Sequence, residues 1–194
     1  MLYRIAQAIM RIVTKVCFFL TVENKDAVPE TGGCVICANH RSFWDGILIA
    51  VAVRRPMAYI AKEELFRHKM IAFFMRKFHC YPVRRGGGDI AIVKTAISLL
   101  RQGEVLVIFP EGTRVKSGEK VDIKSGAIRL AAMTGVPLVP AGISGNFRLF
   151  QKMRVRFGKP IAAAACREKR MTDEEYTEEM KKIMQTVYSL AETE

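Results

Sequence analysis

The sequence predicts an α/β fold: a single domain with a largely parallel central sheet flanked by helices, preceded by an N-terminal amphipathic helix. Three observations predict it. Short apolar runs alternate with segments of helical periodicity along the whole chain. Runs such as "CVICA" (34–38) and "EVLVIFP" (104–110) are nearly continuous in apolar residues, as strands covered on both faces are. The chain has 194 residues, half of them hydrophobic, enough for one sizeable core, and contains no linker long enough to divide it.

The elements follow in order. The first helix, residues 1–20, carries Arg4, Gln7, Arg11 and Lys15 on one stripe and Ile5, Ile9, Ile12, Val13, Val16 and Phe19 on another. A basic face over a strongly apolar face fits a helix lying in a membrane interface. It fits equally a helix packed on the core with a solvated basic side. The run is broken by Arg11 and Lys15, and no stretch of 18 uncharged apolar residues exists, so a spanning helix is not expected. Strands are expected at 34–38, 57–61, 80–83, 104–110, 136–143 and 154–160. Helices are expected at 42–53, 62–77, 89–101, 125–133 and 172–191. The 62–77 segment mixes Phe, Met, Lys and Arg as the first helix does. The last helix opens on "TDEE", where Thr172 and Glu175 form a capping box, and its apolar spacing reads as packing without chemistry.

The net charge is +12, but the last 24 residues hold two Lys and seven acidic residues, so the body before them carries +17. A basic body suits phosphates: a nucleic acid, an anionic membrane surface or a phosphorylated substrate. The five cysteines are odd in number and no signal-peptide pattern precedes them, which points to a reducing cytoplasm. "CVICANH" reads C-x2-C-x2-H, but residues three apart on a strand point to opposite faces, so Cys34 and Cys37 should not share a metal. Buried free thiols are expected instead, with no metal site.

Four stretches could carry chemistry, each after an expected strand. In "NHRSFWDG" (39–46), His40 precedes Asp45 by five positions. Ser42 and Asp45 could simply be a helix cap. Equally, the turn could fold the carboxylate back onto the imidazole and so orient a general base. In "IFPEGTR" (108–114), Glu111, Gly112 and Arg114 leave the most strand-like run of the chain. Glycine permits close approach, and the arginine fork suits phosphate. "YPVRRGGGD" (81–89) sets two arginines and three glycines before a helix, an anion-binding context that is neither a P-loop nor G-x-G-x-x-G. "DIKSGAI" (122–128) offers Lys124 and Gly126. A serine-hydrolase reading fails, because Ser144 is not in G-x-S-x-G.

Together the four stretches resemble the glycerolipid acyltransferase family, in its 1-acyl-sn-glycerol-3-phosphate (lysophosphatidic acid) branch. The N-H-x4-D motif is matched by Asn39, His40 and Asp45, and the arginine after an apolar strand by Arg85. F-P-E-G-T-R is met in full from 109 to 114, and the V-P-[LIV]-V-P strand by 136–140. Lys124 and Gly126 match a K-x-G between the last two. The motifs stand in the family's order and cover about residues 20–160.

The resemblance implies transfer of a fatty acyl group from acyl-CoA or acyl-carrier protein to the 2-hydroxyl of lysophosphatidic acid, giving phosphatidic acid. It implies His40 as base and Asp45 as its orienting acid. Arg85, Arg114 and Lys124 would hold the substrate phosphate in a pocket shaped by Glu111 and Gly112. No cofactor and no acyl-enzyme are expected. Residues 1–20 become a membrane-interfacial helix and 21–194 the catalytic domain, seated peripherally on the cytoplasmic face of an anionic membrane. Glycerol-3-phosphate or another lysolipid is the alternative acceptor. A nucleic-acid partner is not expected, since it gives no reason for "NHRSFWD" beside "FPEGTR". Two features depart from the family pattern. Arg84 stands where relatives often carry an acid, leaving open which of Arg84 and Arg85 meets the phosphate. The 115–123 segment lacks the aromatic residue often found before K-x-G.

Overall fold

The computed structural model describes residues 2–83, 89–115, 121–163, 166, 169 and 171–192. The chain opens on helix α1 (Leu2–Phe18) and a short strand β1 (Thr21–Glu23). There follow β2 (Cys34–Ala38), α2 (Trp44–Ala52), β3 (Met57–Lys62), α3 (Lys69–Lys77), β4 (Cys80–Val83), α4 (Asp89–Arg101) and β5 (Val105–Ile108). The chain closes through α5 (Gly126–Thr134), β6 (Pro137–Gly145), β7 (Met153–Phe157), β8 (Ile161–Ala162) and α6 (Asp173–Glu192).

The described strands form one sheet in the order β1-β7-β6-β2-β5-β3-β4, with β8 also paired to β6. The pairs β1–β7, β2–β6, β2–β5, β3–β5 and β3–β4 are parallel; β6–β7 and β6–β8 are antiparallel. The predicted α/β domain with a largely parallel sheet is therefore present. The apolar-throughout strands lie where covered strands must. Every residue of β2 is buried, and so are the first three of β5.

Alternation along β2 divides the core in two. Cys34, Ile36 and Ala38 join a cluster with α1 and α2, while Val35 and Cys37 join one with α4, α5 and α6. The two cysteines thus face opposite sides of the sheet, as the strand period requires. Burial pushes the Cys34 thiol up to about 12 and Cys37 higher still, which makes both poor nucleophiles. Strand β7 shows the expected alternation. Met153, Val155 and Phe157 are buried, and Arg154 and Arg156 turn outward to Glu23 at 3.2 and 2.6 Å.

One expected element differs. Residues 62–77 are not a single helix. Strand β3 runs on to Lys62, which pairs with Val83; Glu63–Phe66 form a 3-10 turn, and the helix begins only at Lys69. The ladder to β4 claims Lys62, which helical spacing alone assigned to the helix. The capping box of the last helix is reciprocal as expected. The Thr172 N–H donates to Glu175 Oε2 at 2.6 Å, and the Glu175 N–H to Thr172 Oγ1 at 3.3 Å.

Helix α6 lies against β6 with no space between them. A Cβ at Gly142 would come within 2.5 Å of the α6 backbone at Leu190 and Ala191. That contact brings the end of the chain to the carboxyl edge of the sheet. Strands β2, β5 and β6 run in one direction, so the segments that follow β2 and β5 emerge together at that edge.

Candidate active site

The site grows from the end of β2. Asn39 is buried, and its amide pairs with Ile143 of β6 in both directions. Nδ2 donates to the Ile143 carbonyl at 3.0 Å, and the Ile143 N–H donates to Oδ1 at 2.8 Å. The side chain thereby adds one more rung to the β2–β6 ladder and fixes where the next residue leaves the sheet.

That residue is His40. Its Nδ1 lies 3.0 Å from Asp45 Oδ2. The same carboxylate oxygen accepts the N–H groups of Arg41 at 2.6 Å and Ser42 at 2.7 Å. Helix α2 starts at Trp44, its N-cap position is Phe43, and the Ser42 hydroxyl accepts the Trp44 N–H at 3.3 Å. The two readings of this turn therefore merge. Asp45 reaches back to cap the turn before its helix, and in doing so it meets the imidazole. Asp45 is fully buried, and its Oδ1 has no hydrogen-bond partner among the described residues. With an aspartate accepting at Nδ1, the imidazole keeps that proton and offers Nε2 as its basic nitrogen. The ring stacks on Phe109, 4.2 Å between centroids and 19° from parallel.

The turn after β5 is fastened to His40 on both sides. The His40 N–H donates to Glu111 Oε2 at 2.6 Å, and its carbonyl accepts the Val115 N–H at 2.8 Å. Glu111 is only 4% exposed, and its other oxygen accepts the Tyr188 hydroxyl of α6 at 2.9 Å. Its carboxylate thus points inward, to main chain and phenol. Burial raises its pKa above the ordinary 4.5, opposed by the hydrogen bonds from Tyr188 and His40. Burial, followed by the neighbouring carboxylate, likewise raises the Tyr188 phenol well above 10.

Gly112 has φ +67°, a left-handed backbone that glycine adopts without cost. A Cβ there would lie 3.2 Å from Lys124 Cε and Nζ, so the lysine chain runs directly across it. The Lys124 N–H donates to the Pro110 carbonyl at 2.9 Å, which brings the 121–125 segment back to the turn. Lys124 and Arg114 are both exposed. The structure therefore gathers His40, Asp45, Glu111, Gly112 and Arg114 on two adjoining turns, with Lys124 of the 121–125 segment laid against them, at one edge of the sheet. Arg85, and Arg84 beside it, lie outside the described residues.

Sequence reasoning missed three contributors. Asn39 entered as part of a motif, and only the β2–β6 pairing reveals it as a brace. Phe109 supplies the ring face for His40. Tyr188 sits on a helix read as packing alone, and nothing in its local spacing points to a partner 77 positions away.

The chain is similar to known proteins. The Acyltransferase family model matches residues 19–144. A 1-acyl-sn-glycerol-3-phosphate acyltransferase from Bacillus subtilis is 36% identical over 169 residues, 84% of each chain. One from Streptococcus pneumoniae is 28% identical over 159 residues, 78% of this chain and 58% of that protein. The crystal structure of the 1-acyl-sn-glycerophosphate (LPA) acyltransferase PlsC from Thermotoga maritima superposes with a TM-score of 0.73 at 25% identity, covering 95% of this chain and 79% of that one.

Proposed function

This chain belongs to the acyltransferase family, and within it we propose that it moves a fatty acyl group from a thioester to the free 2-hydroxyl of 1-acyl-sn-glycerol-3-phosphate, giving phosphatidic acid. The observation that carries the reading is the His40–Asp45 pair, fastened through Glu111 to the turn that bears Arg114. The acyl donor is a thioester of coenzyme A or of acyl-carrier protein. Both present the same reacting carbonyl.

The substrate oxygen attacks the thioester carbonyl carbon while His40 Nε2 takes the hydroxyl proton. The Asp45 carboxylate holds the ring in the productive tautomer and stabilises the imidazolium that forms. The tetrahedral intermediate collapses with cleavage of the C–S bond. The proton passes from Nε2 to the departing thiolate sulfur, leaving an ester, a free thiol and neutral His40. No covalent acyl-enzyme and no cofactor enters this sequence.

Arg114 and Lys124 flank Gly112 as two cations suited to the substrate phosphate, and Arg85 is the third expected contact. Glu111 serves them indirectly. A buried carboxylate repels a phosphate, but by holding the His40 main chain it sets the distance between base and cations.

Lipid substrate and product call for a membrane surface, and two helices fit one. Among the described residues no helix is long and apolar enough to cross a membrane. On α1, Ile5, Ile9, Ile12 and Val16 form a ridge at helical spacing, each 49–66% exposed, and Phe19 just past the helix adds to it. Part of its polar side reaches inward, while Arg4 and Lys15 stay exposed. Gln7 Nε2 donates to the Ala50 and Val53 carbonyls at 2.6 and 2.9 Å, and Arg11 Nε to the Val51 carbonyl at 3.0 Å. An exposed apolar ridge bordered by basic side chains is suited to anionic lipid. Helix α3 repeats the pattern with exposed Met70, Phe73 and Phe74 beside Lys69, Arg76 and Lys77. These features support a peripheral position on the cytoplasmic face of an anionic membrane.

The test is acyl transfer to lysophosphatidic acid from coenzyme A and acyl-carrier-protein thioesters in parallel, with glycerol-3-phosphate as rival acceptor. Phosphatidic acid should form, and His40→Ala should lose roughly 10²–10⁴-fold in rate while keeping its fold. Preferred acylation of glycerol-3-phosphate would overturn the acceptor, and a His40→Ala protein with most of its activity would overturn the base.

A further inference from the structure

The β6–β7 connection, residues 146–152 with the sequence "NFRLFQK", takes no part in the chemistry above. It nevertheless exposes two large apolar side chains in succession, Leu149 at 65% and Phe150 at 66%. Arg148 and Lys152 flank them, also exposed, and the loop contains no acidic residue.

The loop is held in this form. Phe147 and Phe150 both adopt left-handed backbone, φ 44° and 62°, which bulky residues rarely do. Phe147 turns inward onto the core, with its N–H 3.4 Å from Met153 Sδ. The Phe150 N–H donates to the Cys17 carbonyl at the end of α1 at 2.6 Å, and the Phe150 ring lies 6.5 Å from that of Phe19. Two inward anchors thus hold Leu149 and Phe150 outward.

Position matters as much as exposure. Strand β6 runs parallel to β2, so the loop leaves the sheet at the edge where His40 sits. Strand β1 is parallel to β7, which is antiparallel to β6, so β1 begins at that same edge with Phe19 just before it. Phe18 in turn packs edge-on against Trp44, the neighbour of Asp45, at 5.2 Å. The apolar ridge of α1 therefore ends beside the catalytic turn, and Leu149 and Phe150 extend it there.

We propose that the β6–β7 loop is a membrane wedge. Leu149 and Phe150 enter the apolar zone of an anionic bilayer in continuity with the α1 ridge, while Arg148 and Lys152 meet lipid phosphates. The proposal rests on the reading that α1 lies on a membrane. The charge pattern selects lipid over a second copy of this chain. Arg148 and Lys152 on the loop and Arg4, Arg11 and Lys15 on α1 are all of one sign, so a self-contact through this surface would set cation against cation. The wedge would hold the reacting edge at the bilayer surface, where the 2-hydroxyl of a lipid-anchored acceptor resides.

The experiment compares three full-length proteins: wild type, the loop variant Leu149→Ser with Phe150→Ser, and the α1 variant Ile9→Ser with Ile12→Ser. Each is sedimented with vesicles of phosphatidylcholine and phosphatidylglycerol, melted, and sized by gel filtration. The loop variant should melt as wild type does and bind vesicles roughly 30–150-fold more weakly, in keeping with the loss of two apolar side chains from lipid. Its turnover should fall on substrate embedded in vesicles and hold on substrate in detergent. If the α1 variant loses binding and the loop variant does not, the wedge is overturned and the α1 reading stands. If the α1 variant binds as wild type does, the α1 reading fails by itself. A loop variant that changes oligomeric state instead of vesicle affinity would also overturn the wedge. Should the double substitution disturb folding, Leu149→Trp keeps the loop apolar. Its added fluorescence, over the background of Trp44, should shift blue with vesicles and be quenched by brominated lipid; an unshifted emission would overturn the proposal.

Discussion

Helix α6 buries Met180, Ile183, Met184 and Val187 and turns its glutamates and lysines to water, pairing Glu178 with Lys181 and Glu179 with Lys182 at 2.6 and 3.1 Å. Helix α1 buries Tyr3 and Phe18 but lays Gln7 and Arg11 on the last carbonyls of α2 and leaves Ile5, Ile9, Ile12 and Val16, with Phe19 just past its end, in the open. Both helices are amphipathic at the same period. Periodicity states that a helix has two faces, and the neighbours decide which one turns inward. For α6 the neighbour is the apolar face of the sheet, with Met184 Sδ 3.7 Å from Cys37 Sγ. For α1 it is a helix C-terminus, whose free carbonyls draw donors.

The contrast can be broken at either end. The largest effect is expected on the α6 side. Met184→Ala should cost about 2–5 kcal/mol, since a fully buried side chain leaves a cavity. Thermal melting should show it as a fall of roughly 5–15 °C, with vesicle affinity of the folded protein unaltered. The same class of truncation on α1 should do the opposite. Ile9→Ser with Ile12→Ser should change stability by less than about 0.5 kcal/mol and weaken vesicle partition by roughly 2–3 kcal/mol, on the area these side chains would bury in lipid. A large loss of thermal stability in that variant would show that the ridge packs against protein.

The smallest effect sharpens the comparison, because α6 is more than a packing helix. Its Tyr188 hydroxyl donates to Glu111. Burial already raises the Glu111 pKa above 4.5, so the folded protein holds that proton more tightly than the unfolded chain. Stability is therefore lost as pH rises from about 4.5 through the raised value. Tyr188→Phe removes a bond that favours the carboxylate and should raise Glu111 further. Chemical denaturation should find the variant close to wild type near pH 4 and about 1 kcal/mol less stable at pH 8. An equal deficit at both pH values would mean that the phenol acts by packing alone.

The parts of the molecule legible in the sequence are those that depend on near neighbours. The parallel strands announce themselves as apolar runs, the capping box at Thr172 and Glu175 needs only three residues of spacing, and "NHRSFWD" and "FPEGTR" carry their chemistry locally. Asn39 with Ile143, Glu111 with His40, and Tyr188 with Glu111 are separated by 104, 71 and 77 positions. Each depends on strand order, which no local pattern encodes. The 62–77 segment illustrates the same limit. Its first residue belongs to a strand because β4, formed later in the chain, supplies the ladder.

The acidic α6 and the basic remainder of the chain have one more consequence. The core clusters set α1 and α2 on one side of the sheet and α4, α5 and α6 on the other. The six acids of α6 therefore lie across the sheet from the apolar ridge, in a chain whose first 170 residues carry +17. Such a molecule carries a permanent dipole through its thickness. On the proposed membrane reading, the field of a negatively charged sheet of lipid would rotate it within about 10 Å, before any side chain made contact. It would land ridge-first, with the acidic helix uppermost, much as a weighted float rights itself in water.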